Sequence, residues 1–332
     1  MRIDTGSFVQ LVGSLRARVE LDYKRDIQLA ARAFGDEARS AWMPGGGAIL
    51  NGDDAAALPC DGGYVLLAAE GMRAELVAAD PWFAGFASVL TNVNDIAAMG
   101  GRPWAVVDVL FLGDADNARV LDGMAAASAA YGVPVVGGHT TRVSGPSMLS
   151  VAVVGRASRI IPGGGARPGQ VLIAAIDLGG SFRGGGGCFD AATNASSAAL
   201  RARVGLLSEL ADAGLVAAGK DISMAGVCGT LWMMLEASGC GAVVDLAELP
   251  APPATDALRW LTAFPSFGFV LAVDPGAVAA VCARFDGVGV TAAPVGEISG
   301  GSILELTHHG ERGVFADLRE APLTGFGGAA RS

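Results

Sequence analysis

The sequence predicts an α/β protein of two domains, the second leaning towards α+β. Three observations carry this: a length of 332 residues, short apolar runs alternating with stretches of helical periodicity, and a Gly/Pro-rich break that splits the alternation in two. So long a chain exceeds the usual single-domain size, and about 150 residues per domain gives two. Alternating strands and helices are the signature of α/β layers. The break at 161–167 reads as a linker between an N-terminal domain over 1–160 and a C-terminal domain over 168–320. The Gly/Ala-rich end, 321–332, reads as a flexible tail.

Phe8, Leu11, Val12, Leu15 and Val19 recur at helical spacing, which predicts a helix over 7–20, with a second over 26–39. A glycine cluster, Gly45 to Gly47, leads into an apolar stretch, 49–58, interrupted by Asn51-Gly52-Asp53-Asp54. Residues 64–69 (YVLLAA) form a buried-strand candidate that ends at Glu70-Gly71. Helical periodicity returns over 82–99, a strand over 105–112 and a helix over 117–131. A short strand, 133–136, delivers Gly137-Gly138-His139-Thr140-Thr141 as a turn, and 149–154 is the next strand. Beyond the linker the alternation restarts: strands at 171–176, 242–246, 268–273 and 290–298, and helices near 196–214 and 226–238.

The apolar fraction is 52% and the charged fraction 17%, enough for sizeable cores and unlike a disordered chain. Net charge is −10, against nucleic-acid binding, which needs Lys and Arg to neutralise phosphates. A nucleotide is still allowed, because a metal ion can bring its phosphates to a carboxylate-lined site. The five cysteines are scattered and form no CxxC pair, which fits a reducing compartment. No apolar h-region follows the charged N-terminus, and no run of about eighteen apolar residues appears. The expected location is cytoplasmic.

Four segments set polar residues at the edges of apolar elements. Asp53-Asp54 offers hard oxygen ligands for Mg²⁺, or an acidic turn. Asn92, Asn94 and Asp95 interrupt an apolar helix, where a carboxylate must be paired, capped or metal-bound, or else belongs to a polar helix end. Gly137 to Thr141 could present N–H groups and hydroxyls to phosphate, or be a satisfied turn. Asp221-Ile222-Ser223 precedes a helix, either as its N-cap or as a metal carboxylate beside an anion-favouring N-terminus. His308 and His309 read as surface residues of a late polar turn.

Taken in order, NGDDAA, EG after a strand, VNDIAAMGGRP, GGHTT and DIS-x-x-G resemble a single superfamily over about residues 45–300. It contains aminoimidazole-ribotide synthetase, selenophosphate synthetase, thiamine-monophosphate kinase and the hydrogenase-maturation carbamoyl dehydratase. The resemblance implies a homodimer whose N-terminal domains share a β-barrel, with ATP and Mg²⁺ as cofactors. It implies metal ligation by Asp54, Asp95 and Asp221, with Asp53 and Glu70 as secondary ligands, and a catalytic set of Asp95, Asp221 and His139. Gly137, Gly138, Thr140, Asn94 and Ser223 would contact the nucleotide, with Lys24 approaching a phosphate.

The departures narrow the chemistry. Met224 stands where the kinase branch has a second aspartate, and His139 where that branch has aspartate. No cysteine precedes Cys60, so the selenophosphate branch's reactive residue has no counterpart. Glu70-Gly71-Met72-Arg73 replaces the ribotide synthetase's DGVGTK-like loop. The expectation is a Mg-ATP-dependent enzyme that activates an oxygen of a small substrate by phosphoryl transfer. The alternative is a nucleotide-binding regulatory or scaffold protein of the same fold without turnover.

Overall fold

The computed structural model describes residues 1, 7–34, 52–184 and 186–326. Three helices open it: α1 (Phe8–Arg16), α2 (Val19–Arg25) and α3 (Gln28–Phe34). Then come β1 (Ala56–Cys60), β2 (Gly63–Met72), α4 (Ala74–Ala79), α5 (Pro81–Ala98), β3 (Arg102–Leu112), α6 (Asn117–Tyr131), β4 (Val135–Arg142) and β5 (Met148–Ala157). The later elements are β6 (Val171–Ile176), β7 (Ser181–Phe182), β8 (Cys188–Asp190), α7 (Ser197–Asp212), β9 (Ala218–Asp221), α8 (Gly226–Ser238) and β10 (Gly241–Asp245). The last are α9 (Ala257–Leu261), β11 (Phe264–Pro265), β12 (Gly268–Val273), α10 (Val278–Asp286), β13 (Thr291–Ser299), β14 (Ile303–His308) and β15 (Glu311–Asp317).

These elements gather into two compact units, and the chain passes between them more than once. One unit is Asp54–Ile160 with Ala192–Asp212; the other is Met1–Asp53, Ile161–Ala191 and Ala213–Ser332. Two consecutive domains were expected; the apolar faces also carry the opening helices into the later unit and 192–212 into the earlier one. Phe8, Leu11 and Leu15 of α1 join the core that holds β6, α8 and β12. Helix α7 packs on α5 and α6, and Arg201 donates from Nε to Ala130 O (3.0 Å) and from Nη2 to Ala129 O (2.7 Å) at the end of α6.

The first unit is a five-stranded sheet of order β1-β2-β5-β3-β4, antiparallel except for the β3–β4 pair. Burial alternates along β5, so one face is covered and the other open. Helix α5 covers it, and α6 packs on α5. That helix crossing is close because two glycines meet it: a Cβ on Gly85 would collide with Val120 O, and one on Gly123 with Trp82 O. On the open face Leu58, Leu67, Val107 and Met148 are 42–48% exposed.

The second unit is built on a seven-stranded mixed sheet of order β15-β14-β10-β13-β6-β12-β9, with a small sheet β11-β8-β7 beside it. Every residue of β12 is buried, as are all but the first of β6. Helix α8 is buried from Gly226 to Glu236, as a helix apolar all round must be.

Three expectations need correction, and a fourth lies partly outside the described residues. The helix over 7–20 breaks at Ala17-Arg18: Arg18 is extended (φ −72°, ψ 132°), Val19 is 48% exposed, and Leu21 takes the buried position. The helix over 26–39 is described only as Gln28–Phe34; 35–39, Gly45–Gly47 and Asn51 lie outside the described residues. Strand β2 runs on to Met72 with only Leu66 buried, so Glu70 and Gly71 are strand residues paired with Val151 and Ser150. The Gly137–Thr141 segment is not a turn but the body of β4, held in parallel register with Val107–Phe111.

The tail differs too. Leu323 is fully buried, and Thr324 is 7% exposed. The carboxylate of Glu236 accepts hydrogen bonds from Leu323 N (3.0 Å), Thr324 N (3.0 Å) and Gly325 N (2.8 Å). His308, half-buried, closes β14 and stacks on Phe8 at 6.3 Å, while His309 takes φ +48° in the hairpin turn. Burial, then the neighbouring His309, pushes the His308 pKa below its ordinary value. Among the described residues no helix is long and apolar enough to cross a membrane.

Candidate functional site

In the first unit, the side chain of Asp80 caps α5 by accepting from Phe83 N, and Pro81 starts the helix. Its far end carries the polar residues singled out above. Asn92, Asn94 and Asp95 are 0%, 4% and 6% exposed. Asn92 Nδ2 donates to Ser88 O (2.8 Å), whereas Asn92 Oδ1 is buried with no hydrogen-bond partner among the described residues. Gly100, at φ +73°, lets Gly101 N return to Ile96 O (2.8 Å) and ends the helix. A buried carboxylate in so apolar a helix is costly unless its surroundings compensate it.

Strand pairing puts two carboxylates on one row across the sheet. Glu70 on β2 pairs with Val151 on β5, Val151 with Asp108 on β3, and Asp108 with Gly138 on β4. Gly138 has to be glycine there, since a Cβ would collide with Asp108 Oδ1. Burial raises the Asp108 pKa above the ordinary carboxylate value. Sequence reasoning missed this residue, although a lone carboxylate between Val106 and Leu110 of an apolar strand was the signal. His139 and Thr140 follow Gly138 on the exposed edge strand, and Glu70 is exposed; Asp54, just ahead of β1, is half-buried.

In the second unit, Asp53 was expected among the metal carboxylates. It forms a buried ion pair with Lys220 (Oδ1 to Nζ 3.4 Å), and its Oδ2 accepts from Gly163 N (2.6 Å). The backbone comes that near because Gly163 has no side chain; a Cβ would lie 2.5 Å from Asp53 Oδ1. Lys220 was also missed, because a lysine beside Asp221 reads as a surface pair.

Asp221 closes β9, half-buried. The N-cap of α8 is Ala225, left-handed at φ 83°, whose side chain makes no capping hydrogen bond. Gly226 is left-handed as well (φ +65°), and its N–H donates to Ser223 O (3.0 Å). Two successive left-handed residues, one of them alanine, are strained backbone of the kind found at ligand clamps. Lys24 Nζ, arriving on α2, donates to Ser223 Oγ (3.2 Å). A cation, a hydroxyl and the start of a thirteen-residue helix thus converge on residues 223–226.

The candidate metal carboxylates divide between the units: Asp54, Glu70 and Asp95 in the first, Asp53 and Asp221 in the second. Among the described residues no three His, Cys, Asp or Glu side chains stand together as a metal-holding group.

Residues 52–157 match the N-terminal domain of the AIR synthase related proteins, and residues 167–309 match the C-terminal domain of the same family. The chain belongs to the AIR synthase related family. The uncharacterized protein sll0787 of Synechocystis sp. is 45% identical over 320 residues, covering 96% of this chain and 98% of its own length. Carbamoyl dehydratase HypE of Cupriavidus necator is 30% identical over 275 residues, covering 74% and 72%. Among solved structures, Thermotoga maritima PurL complexed with ATP has a TM-score of 0.73 at 18% identity, over 97% of this chain and 52% of that one. The fold is therefore PurL-like, and this AIR synthase related chain spans about half of the PurL chain it matches.

Proposed function

We propose that this protein is a Mg-ATP-dependent enzyme that activates an oxygen of a small substrate, an amide, carboxylate or phosphate ester, by phosphoryl transfer. The observation that carries this reading is the convergence at 223–226. Lys24 supplies positive charge, Ser223 a hydroxyl, and the start of α8 supplies N–H groups and the positive end of a helix dipole. That combination favours a phosphate. The ATP-bound PurL relative supports the nucleotide, and the carbamoyl dehydratase supports an amide-type acceptor.

The carboxylate set also suits Mg²⁺. This ion keeps several waters and uses one or two protein carboxylates together with substrate phosphates, so a dedicated cage of three is not what it needs. One or two of Asp54, Asp95 and Asp221 would hold it; Asp53 is engaged by Lys220. When bound, Mg²⁺ neutralises charge on the transferring phosphoryl group. The chain's own part is to hold the phosphates at 223–226.

We also assign the open apolar face of the five-stranded sheet to a second copy of this chain, as a homodimer. Five free cysteines support a cytoplasmic location. Asp95→Asn and Asp221→Asn should each lower Mg²⁺-dependent ADP formation by about 10²-fold with unchanged circular dichroism. Absence of nucleotide binding by calorimetry with Mg²⁺ present sinks the reading. Binding without phosphoryl transfer to any acceptor favours the regulatory alternative, for which Met224, in place of an aspartate, is the motive.

A further inference from the structure

We infer that Glu236 is a positioning residue: through the end of the chain it holds Gly52 and Asp53 in place, and so sets where the metal carboxylate Asp54 begins. The inference rests on the Mg-ATP reading for its functional consequence, but its structural half stands independently.

Each link is a contact within one unit. Glu236 lies on α8 with 6% exposure, in a helix whose other buried residues are apolar or small apart from Thr230. A carboxylate there must be met by donors, and the donors come from the other end of the fold. Oε2 accepts from Leu323 N and Thr324 N, both at 3.0 Å, and from Thr324 Oγ1 at 3.4 Å; Oε1 accepts from Gly325 N at 2.8 Å. Three successive backbone N–H groups thus wrap one carboxylate, an anion nest whose anion belongs to the protein itself. Gly325 makes the wrap possible by taking φ +78°. From the other side Gln28 Nε2 donates to Pro322 O (2.9 Å) and Leu323 O (3.2 Å).

The wrap aims the next residue. The Phe326 ring occupies the space a side chain on Gly52 would need, and Gly52 takes φ +97°, a conformation suited to glycine. Thr324 and Phe326 then line one cleft with Gly52, Asp53, Gly163 and Lys220. Residues 52–53 are held on one side by Phe326 and on the other by Lys220 and Gly163. Asp54 is the next residue along. Glu236 therefore acts on the proposed metal site without touching metal, nucleotide or acceptor.

Glu236→Gln tests this, since it keeps the size of the side chain but turns an N–H₂ towards the wrapping N–H groups. A chain ended at Ala321 removes the wrap without altering α8, and Glu236→Asp keeps the charge. Hydrogen exchange should show the amides of 323–325, and also those of 52–54, opening at least about tenfold faster in Glu236→Gln, one lost charge-assisted hydrogen bond being worth that much. The truncated chain should show the same at 52–54, and Glu236→Asp should recover part of the protection. With Mg-ATP, kcat for ADP formation should fall about tenfold while KM changes less than about twofold, because ground-state binding at 223–226 is untouched.

If 52–54 keep wild-type exchange in both the Gln variant and the truncated chain, the inference is overturned whatever the nucleotide does. It is equally overturned if 52–54 loosen and ADP formation stays at the wild-type rate. If 52–54 loosen while wild-type protein binds no Mg-ATP, the positioning contact stands and the proposed function falls.

Discussion

The two sheets solve the same burial problem differently. In the seven-stranded sheet β12 is buried at every residue and β6 at all but its first, so both faces are covered and the strands read as continuous apolar runs. In the five-stranded sheet β5 alternates, one face lies under α5, and the other presents Leu58, Leu67, Val107 and Met148 at 42–48% exposure. The first sheet is complete within one chain. The second keeps one apolar face open, the face proposed above for a second copy.

Substitutions that treat both sheets alike should therefore give opposite results. Leu271→Ala, in the centre of β12 with no exposure, should cost about 2–5 kcal/mol in urea denaturation and leave the oligomeric state unchanged. Leu67→Thr, on the open face of β2, should change protomer stability by no more than about 1 kcal/mol but shift the sedimenting species from dimer to monomer. A Leu67→Thr protein that stays dimeric at equal concentration removes the assignment of that face to a second copy.

The smallest effect belongs to His308, which ties α1 to the edge of the larger sheet. Its pKa in the folded protein is lowered from the usual 6.5, chiefly by burial. In the window between the lowered value and 6.5 the unfolded chain binds the extra proton. Stability should accordingly rise with pH through that window and level off above it. His308→Gln should flatten this slope in melting curves recorded from pH ~5 to ~7; an unchanged slope assigns it to other groups.

What was legible in the sequence was whatever a single element declares by itself. The helix over 117–131, the buried helix 226–238 and the strand 268–273 fall where their periodicity or continuous apolar run puts them. The order of the acidic segments pointed to the family that residues 52–157 and 167–309 match. What was not legible depends on distant partners. Gly137-Gly138 looks like a turn until β3 is laid beside it and Asp108 is seen to need the space. The end of the chain looks loose because its anchor, Glu236, lies 87 residues upstream of Leu323. The ion-pair partner of Asp53, Lys220, arrives from 167 residues away. Local pattern finds elements; it does not find the donors that long-range folding brings to a buried carboxylate.

The crossing of α5 and α6 has a mechanical consequence. At Gly85 and Gly123 the two helices meet backbone to backbone, with no side chains between them to be squeezed or rotated. Soft contacts absorb displacement through rotamer changes, whereas this one has no such slack. At this point neither helix can move closer to the other, and the last turns of α5 carry Asn92, Asn94 and Asp95. The close crossing therefore fixes the spacing of the two helices in the element that carries the candidate carboxylate.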